Sequence, residues 1–308
     1  MIFTWQNIMR TIFLVSIGSI TVGDQLSTLF PNNWKVIESL AEEHPYIVAL
    51  LNANQQYVCT GITINKRTVL TSGHCVDPPP HFIAVATAVI IGGEGAMRNL
   101  IEVAATVLHN EYTFDVKQTE PNITRVHSNI ALVFAVRPVL MHFMTPAEIA
   151  NHYATELRDT RMTVVGYGEL YTGTIVLQRQ AYNQTPCSNP KWYYCVCGLE
   201  DSVDILGTYE KEFGEGAPVL LDKKVVAIAA TPSGSMIEPK GDVKYNIFTV
   251  IGPYLSWIDK SQTVTNLKLH ALINSSDTHK EVLIKYILIL LVITILINTD
   301  DNLCKINN

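Results

Sequence analysis

The chain has 308 residues, of which 48% are hydrophobic and only 16% are charged, and its net charge is −6. A soluble domain usually carries about 25% charged residues, so hydrophobic segments have been added to an ordinary domain. The acidic balance excludes a basic nucleic-acid-binding protein. Apolar residues are too frequent for a disordered chain, and they are not arranged as the repeated long runs of a multi-span membrane protein.

The N-terminal segment predicts secretion. Residues 1–23 carry one charge, at Arg10, followed by an apolar run and small residues before Asp24. This is typical of a signal peptide cleaved near Gly23, and the run is shorter than the roughly 20 residues of a membrane anchor, which is the alternative. Three glycosylation sequons agree with secretion, and they begin at Asn122, Asn183 and Asn274.

The C-terminal segment predicts attachment to a membrane. Residues 282–297 are hydrophobic, and the run is uninterrupted only from Tyr286 to Ile297. A spanning helix needs roughly 20 apolar residues, whereas small residues, a polar spacer and a short apolar tail are typical of a GPI-attachment signal. A single-pass anchor and no attachment are the alternatives. We therefore expect an extracellular protein attached to the cell surface.

The middle of the chain predicts an all-β fold. Short β-rich runs alternate with turn residues, which is typical of an antiparallel sandwich or barrel. Two short helices are expected, at Pro146–Leu157 and at Ile251–Lys260. The predicted strands are, in chain order, Tyr46–Leu51, Val58–Ile64, Thr68–Leu70, Ile83–Ile91, Leu100–Val107, Ile130–Phe134, Met162–Val165, Ile175–Leu177, Val219–Leu221, Val225–Ala230 and Tyr245–Val250.

One motif in the first half has candidate chemistry. Cys59 and Cys75 lie 16 residues apart, and His74 precedes the second cysteine. In an oxidising compartment these cysteines can form a disulfide that contributes roughly 3 kcal/mol in the chain-entropy model. His74 would then be held rigidly at the edge of a sheet.

Six landmarks follow one another in the chain from about Pro45 to Ile258. They are the Pro45 strand, Cys59-x-Gly61 with Thr71-Ser-Gly-His-Cys75, Ser128-Asn-Ile-Ala-Leu132, Val165-Gly-Tyr-Gly168, Gly214-Glu-Gly-Ala-Pro-Val219 and Trp257-Ile258. In this order they resemble the chymotrypsin/trypsin-like serine protease family (peptidase S1). The resemblance implies two antiparallel six-stranded β-barrels, a short C-terminal helix and a site in the cleft between the barrels.

The domain organisation follows from the ends and the resemblance together. The expected trypsin-like domain covers residues 45–262. The other expected segments are a signal peptide at 1–23, a vestigial N-terminal segment at 24–44, a polar spacer at 263–281, a hydrophobic segment at 282–297 and a polar tail at 298–308.

The resemblance places three residues at the catalytic positions of the family, and only His74 is of the family's type. Asn129 stands where a carboxylate is expected, and loss of that charge costs about 10⁴ in turnover in a serine-protease triad. Glu215 stands where the nucleophilic serine is expected. Without a hydroxyl no acyl-enzyme forms by this route, so the catalytic positions are predicted to be vestigial.

Neighbouring positions depart from the family as well. The oxyanion region carries Phe213 and Gly214, and the latter stands where the family has the Asp that pairs with a new N-terminus. The stretch corresponding to that N-terminus is Val36–Ser39. The base of the specificity pocket falls near Tyr209 or Glu210.

The remaining cysteines and possible ligands are interpreted through the family. Cys187 is expected to pair with Cys195 or Cys197, leaving one thiol that is either free or linked to a partner. A weak metal site at His74 and Glu215 is the less favoured hypothesis, because two ligands are too few for structural zinc. No metal and no cofactor are expected.

These observations predict a surface-tethered serine protease homologue without catalysis. Its expected partner is an extracellular protein, such as a protease, an inhibitor or a substrate, and its expected role is that of a cofactor or decoy in a protease cascade. An active endopeptidase with a non-standard site and an adhesion module are the alternatives.

Overall fold

The computed structural model describes residues 34–85, 89–90, 99–117, 122–140, 144–169, 174–187, 192–201, 214–230, 236–237 and 244–269. Helix α1 spans Trp34–Glu43 and helix α2 spans residues 255–269. The strands are β1 Ile47–Leu51, β2 Tyr57–Thr63, β3 Thr68–Thr71, β4 Phe82–Ala84, β5 Val89–Ile90, β6 Leu100–Leu108, β7 Thr113–Lys117, β8 Asn122–His127, β9 Ala131–Ala135, β10 Arg161–Glu169, β11 Ile175–Thr185, β12 Cys195–Glu200, β13 Pro218–Leu221, β14 Lys224–Ala229, β15 Met236–Ile237 and β16 Lys244–Val250.

The first barrel contains six antiparallel strands. They pair in the order β1, β2, β3, β9, β6 and β4, and β4 pairs with β1 to close the ring. Every residue of β1 and β9 is buried, so both faces of these two strands are covered, which explains their unbroken apolar sequences. Val48, Leu50, Val69 and Val133 lie in one interior cluster with the two cysteines of the Cys59–Cys75 disulfide.

The second barrel is also a closed antiparallel ring of six strands. The order is β10, β13, β14, β16, β12 and β11, and a nine-residue register between β11 and β10 closes it. Its interior cluster includes Met162, Val164, Tyr182, Val219 and Phe248. The short strands β5 and β15 extend the ring by pairing with β11 and β16. The predicted double barrel with a C-terminal helix is therefore confirmed.

Hydrogen bonds join the two barrels along a boundary that we call the seam. The Tyr167 backbone amide of the second barrel donates to Thr60 Oγ1 over 3.1 Å. The Tyr57 hydroxyl donates to the Tyr167 carbonyl over 3.2 Å. Strand β2 of the first barrel is thus bonded to β10 of the second through side chains.

A hairpin formed by β7 and β8 connects the first barrel to a cluster in the second. Val126 of β8 forms a bridge with Trp192, and both are buried with Cys197, Ala230 and Ile247. The sequence analysis predicted no strand between Val107 and Ile130, so β7 and β8 were not anticipated.

The segment Pro146–Leu157 is not the predicted helix. Its amides donate across the molecule instead, from Ala147 to the Thr63 carbonyl and from Ala150 to the Val225 carbonyl. Tertiary hydrogen bonds override the helix propensity of this stretch. In place of the single strand predicted at Ile83–Ile91, the structure has two short strands, β4 and β5. Strand β12 was not predicted from the sequence.

The two helices lie near the ends of the described residues. Helix α1 contacts β11, and its Leu40 is buried. Among the described residues, no helix is both long and apolar enough to cross a membrane. The hydrophobic segment 282–297 and the predicted signal peptide at residues 1–23 lie outside the described residues.

Candidate functional site

His74 lies on a short 3-10 turn, Gly73–Val76, that follows β3. The Cys59–Cys75 disulfide holds this turn on β2, with the two Cα atoms 5.9 Å apart. The His74 backbone amide donates to Asn129 Oδ1 over 3.0 Å. The main chain at His74 is therefore fixed by a covalent bond and by a hydrogen bond, while its side chain remains half-exposed.

Asn129 is fully buried and uses both ends of its amide. Oδ1 accepts from the Ser72 hydroxyl over 2.8 Å and from the His74 amide. Nδ2 donates to the Ala230 carbonyl of the second barrel over 2.9 Å. The His74 ring is not among these partners, so Asn129 spans the seam and does not orient the imidazole. An ionised Asp could not donate to Ala230.

Glu215 is the hydrogen-bond partner of the His74 ring. Its Oε2 lies 2.6 Å from His74 Nδ1, and the Glu215 side chain is only 9% exposed. This hydrogen bond raises the pKa of His74, against an opposing effect of burial. The Phe114 ring of β7 stacks on the imidazole with ring centroids 4.9 Å apart.

The backbone on either side of Glu215 leaves no room for side chains. The Glu215 carbonyl accepts from the Thr60 amide over 2.8 Å. Gly216 has a φ of +80°, and a Cβ there would overlap the Thr60 carbonyl oxygen. A Cβ at Gly214 would overlap the Tyr57 hydroxyl and would lie 2.8 Å from Tyr57 Cζ. The space beside Gly214 is therefore occupied by Tyr57, and a carboxylate does not fit.

Tyr57 is held in this place by its hydroxyl group. The hydroxyl bonds to Thr60 Oγ1 over 2.9 Å and to the Tyr167 carbonyl. Burial raises the pKa of Tyr57, so the hydroxyl stays neutral. The sequence analysis did not single out Tyr57, and its position two residues before Cys59 was the available signal.

The second disulfide joins Cys187 to Cys197, and Cys195 is a free thiol. The Cys195 sulfur donates to the Tyr193 carbonyl over 3.2 Å. Burial raises the pKa of this thiol to about 12, so it is almost never the reactive thiolate.

Among the described residues, one group of possible metal ligands comes together, namely Cys59, Cys75 and Glu215. The two cysteines are joined in a disulfide, so they offer no thiolate. This arrangement leaves Glu215 as a single ionic ligand beside His74, which is too few for a structural metal site.

The other predicted positions are distributed as follows. Asn183 lies exposed on β11, Asn122 begins β8, and Val36–Ser39 lies in α1. Phe213, Asn274 and the predicted base of the pocket at Tyr209 or Glu210 lie outside the described residues.

Comparison with known proteins decides the family. The family model described as Trypsin matches residues 35–258, well over half of the chain. The chain belongs to the trypsin family. A similar curated protein is chymotrypsin-2 from Vespa crabro, which is 27% identical over 235 residues covering 71% of this chain and 95% of that protein.

Two solved structures of trypsin-like enzymes share the fold. Kallikrein-related peptidase 10 in complex with Zn²⁺ has a TM-score of 0.50 and 18% identity, covering 72% of this chain and 97% of the other. Neuropsin, a serine protease of mouse brain, has a TM-score of 0.51 and 18% identity, covering 71% and 95%. At this identity the two structures support the double barrel and nothing finer.

Within this trypsin-family domain, two further features were missed from sequence. Phe114 stacks on the His74 ring, and it lies in the β7–β8 hairpin, whose Val126 forms a bridge with Trp192. The other feature is a pair of half-exposed tyrosines, Tyr193 at 53% and Tyr194 at 52%. Both rings contact His127, with centroid distances of 5.2 and 6.4 Å. We call Tyr193, Tyr194 and His127 the aromatic rim.

Proposed function

We propose that this trypsin-family domain is a non-catalytic serine protease homologue that binds an extracellular protein. The observation that carries the proposal is the bond between His74 Nδ1 and Glu215 Oε2 at 2.6 Å. In the family a serine hydroxyl is expected at the place of Glu215. Glu215 instead supplies a buried carboxylate, which bonds to Nδ1, the nitrogen that the family's aspartate uses. A carboxylate cannot act as the nucleophilic hydroxyl of an acyl-transfer reaction.

The environment of Glu215 supports the same proposal. Tyr57 fills the space beside Gly214, where the family's N-terminal ammonium would need a carboxylate partner. The Asn129 side chain bonds to the Ala230 carbonyl and to the His74 main chain. Both ends of its amide group are therefore engaged in the seam, and not with the His74 ring. Three separate losses would have to be reversed before the family's chemistry could operate.

The aromatic rim is the surface that we assign to the partner. Tyrosine is enriched at protein interfaces because it offers a large rigid contact area and a polar end. Tyr194 has a φ of 53°, a strained conformation for a bulky residue. Such strain is concentrated at functional sites. The rim adjoins the β7–β8 hairpin, since the Tyr193 amide donates to the Val126 carbonyl over 3.0 Å.

We propose that the partner is a protease, an inhibitor or a substrate, and that the chain acts as a cofactor or decoy in an extracellular cascade. The chain would be secreted, glycosylated and attached to the cell surface through segment 282–297. The membership of the trypsin family and the similarity to chymotrypsin-2 from Vespa crabro support an extracellular compartment.

Cross-linking of the tethered protein on intact cells tests the proposal. The partner identified with the native sequence should be lost with Tyr193→Ser/Tyr194→Ser and retained with Tyr153→Ser. Tyr153 is a matched control because it is 51% exposed. The purified partner should then bind the purified native chain and not the double variant. A partner that binds the native chain, the double variant and Tyr153→Ser equally would show that the aromatic rim is not the binding surface.

Peptidase assays test the other half of the proposal. Glu215→Ser should remain inactive on peptide substrates, because Asn129 and Gly214 are unchanged and Tyr57 still fills the adjoining space. Appreciable turnover by this variant would show that the other losses do not block catalysis. Turnover by the native chain would favour the active endopeptidase.

A further inference from the structure

We propose that His74 and Glu215 form a clamp between the two barrels, and that protonation of His74 controls the strength of the clamp. His74 belongs to the first barrel through the turn after β3, and Glu215 to the second through the loop before β13. Their 2.6 Å contact therefore crosses the seam. The inference does not depend on partner binding.

The clamp lies on a seam that is already bonded at the main chain. The Thr60 amide donates to the Glu215 carbonyl over 2.8 Å, so the residue that carries the carboxylate is itself fixed against β2. Asn129 adds a second bond across the seam, to Ala230. These bonds do not titrate, whereas the contact between His74 and Glu215 does.

The charge on His74 affects the stability of the fold because its partner, Glu215, is buried. The Glu215 side chain is 9% exposed, and a buried carboxylate without a cation is destabilising. Among the described residues, the hydrogen bonds and ion pairs of this carboxylate are made to His74 alone. The Phe114 ring covers one face of the imidazole. The protonated imidazole therefore compensates a charge that solvent reaches poorly.

The other ionisable groups around His74 do not reverse this effect. Asp77, on the same turn, acts in the same direction as Glu215 on the pKa of His74. Tyr112 packs on Gly73, and burial raises its pKa to about 12, so its hydroxyl stays neutral. Asp115 of the hairpin, next to Phe114, is exposed and pairs with Arg125 over 3.8 Å.

The direction of the pH dependence follows from the raised pKa. A histidine that binds its proton more tightly when folded stabilises the fold most below its unfolded pKa of about 6.5. That contribution is lost as the pH rises through the folded pKa. The clamp is thus tightest in mildly acidic solution and loosens as the solution becomes alkaline.

Glu215→Gln is the variant that isolates the charge, because glutamine keeps the shape and can still accept a hydrogen bond from Nδ1. Thermal midpoints of the native chain and the variant should be compared at pH 6 and pH 8.5. We expect the native chain to be the more stable at pH 6, with the difference falling to zero or below at pH 8.5. His81→Gln, which replaces an exposed histidine, should leave the native profile unchanged.

Two further readouts report on the clamp itself. In an NMR titration, the pKa of His74 should lie above 6.5 in the native chain and should fall in Glu215→Gln. The Thr60 amide, which bonds across the seam, should exchange about threefold faster in the variant than in the native chain at pH 6. After correction for intrinsic exchange, it should show no such difference at pH 8.5.

The proposal is overturned by any of three results. These are a His74 pKa at or below 6.5 in the native chain, a stability difference that is the same at both pH values, and equal Thr60 exchange at pH 6. The native titration needs no variant, so the proposal stays testable even if Glu215→Gln does not fold.

Discussion

The seam and the aromatic rim use their polar and aromatic groups in opposite ways. In the seam, Asn129, Glu215 and Tyr57 are bonded within the protein, and Tyr57 fills the space beside Gly214. In the rim, Tyr193 and Tyr194 are half-exposed, and the Tyr194 backbone is strained. Under the proposed function, the seam serves stability and the rim is the surface for the partner.

The largest effect is expected where the seam is most tightly filled. Gly214→Ala places a methyl group against the Tyr57 hydroxyl, and such overpacking costs about 3 kcal/mol. Urea unfolding would measure the loss of stability. Tyr57→Phe should restore part of it in the double variant by removing the overlapping oxygen. Full stability in Gly214→Ala would show that the space beside Gly214 is not filled as described.

Asn129→Asp tests the hydrogen bond between Asn129 and Ala230. The carboxylate would be buried without a donor for the Ala230 carbonyl, which costs about 2 kcal/mol. The loss should shrink as the pH falls and the new carboxyl becomes protonated, since the protonated form can donate. Asn54→Asp, at an exposed turn, is the matched control and should be nearly neutral.

Alkylation of Cys195 tests whether its thiol, which adjoins Tyr194 of the aromatic rim, is available to a partner. Because burial raises the pKa of the thiol to about 12, alkylation at pH 8 should be at least about a hundredfold slower in the folded chain than in urea. Non-reducing electrophoresis should show a monomer. Rapid alkylation of the folded chain would contradict the raised pKa of the thiol, and a disulfide-linked dimer would show that Cys195 is available to a partner.

The smallest effect is expected at the rim. Tyr194→Gly removes the strain of a φ of 53°, which should stabilise the chain by about 0.5 kcal/mol or leave it unchanged. Partner binding should nevertheless be lost. A variant that is much less stable, yet binds normally, would show that the tyrosine supports the fold and not an interface.

Local signals in the sequence predicted an antiparallel all-β fold, and the resemblance to the serine protease family implied the double barrel. Strands such as β1 and β9 are short, apolar and bounded by turns, and the motif around His74 fixes their order. The spacing of Cys59 and Cys75, together with the expected oxidising compartment, indicated that they can form a disulfide, and they do. The choice between Cys195 and Cys197 could not be predicted, since both lie on β12 and only the three-dimensional position of Cys187 decides it.

The site was less predictable because its contacts join distant segments. His74 and Glu215 are 141 residues apart, and the sequence analysis ranked their pairing as the less favoured hypothesis. Phe114 and Tyr57 carry no motif, and their roles depend on how the hairpin and β2 pack. The segment Pro146–Leu157 has helix-forming residues, but its amides bond to Thr63 and Val225 in the two barrels.

Covalent labelling of the purified native chain by a fluorophosphonate probe tests the central proposal most directly. The probe reacts with an activated serine hydroxyl, and an active trypsin-family enzyme treated in parallel is the positive control. The proposed loss of catalysis predicts no labelling of this chain at any pH between 6 and 9. Stoichiometric labelling that is blocked by prior unfolding would contradict it and would identify an active endopeptidase.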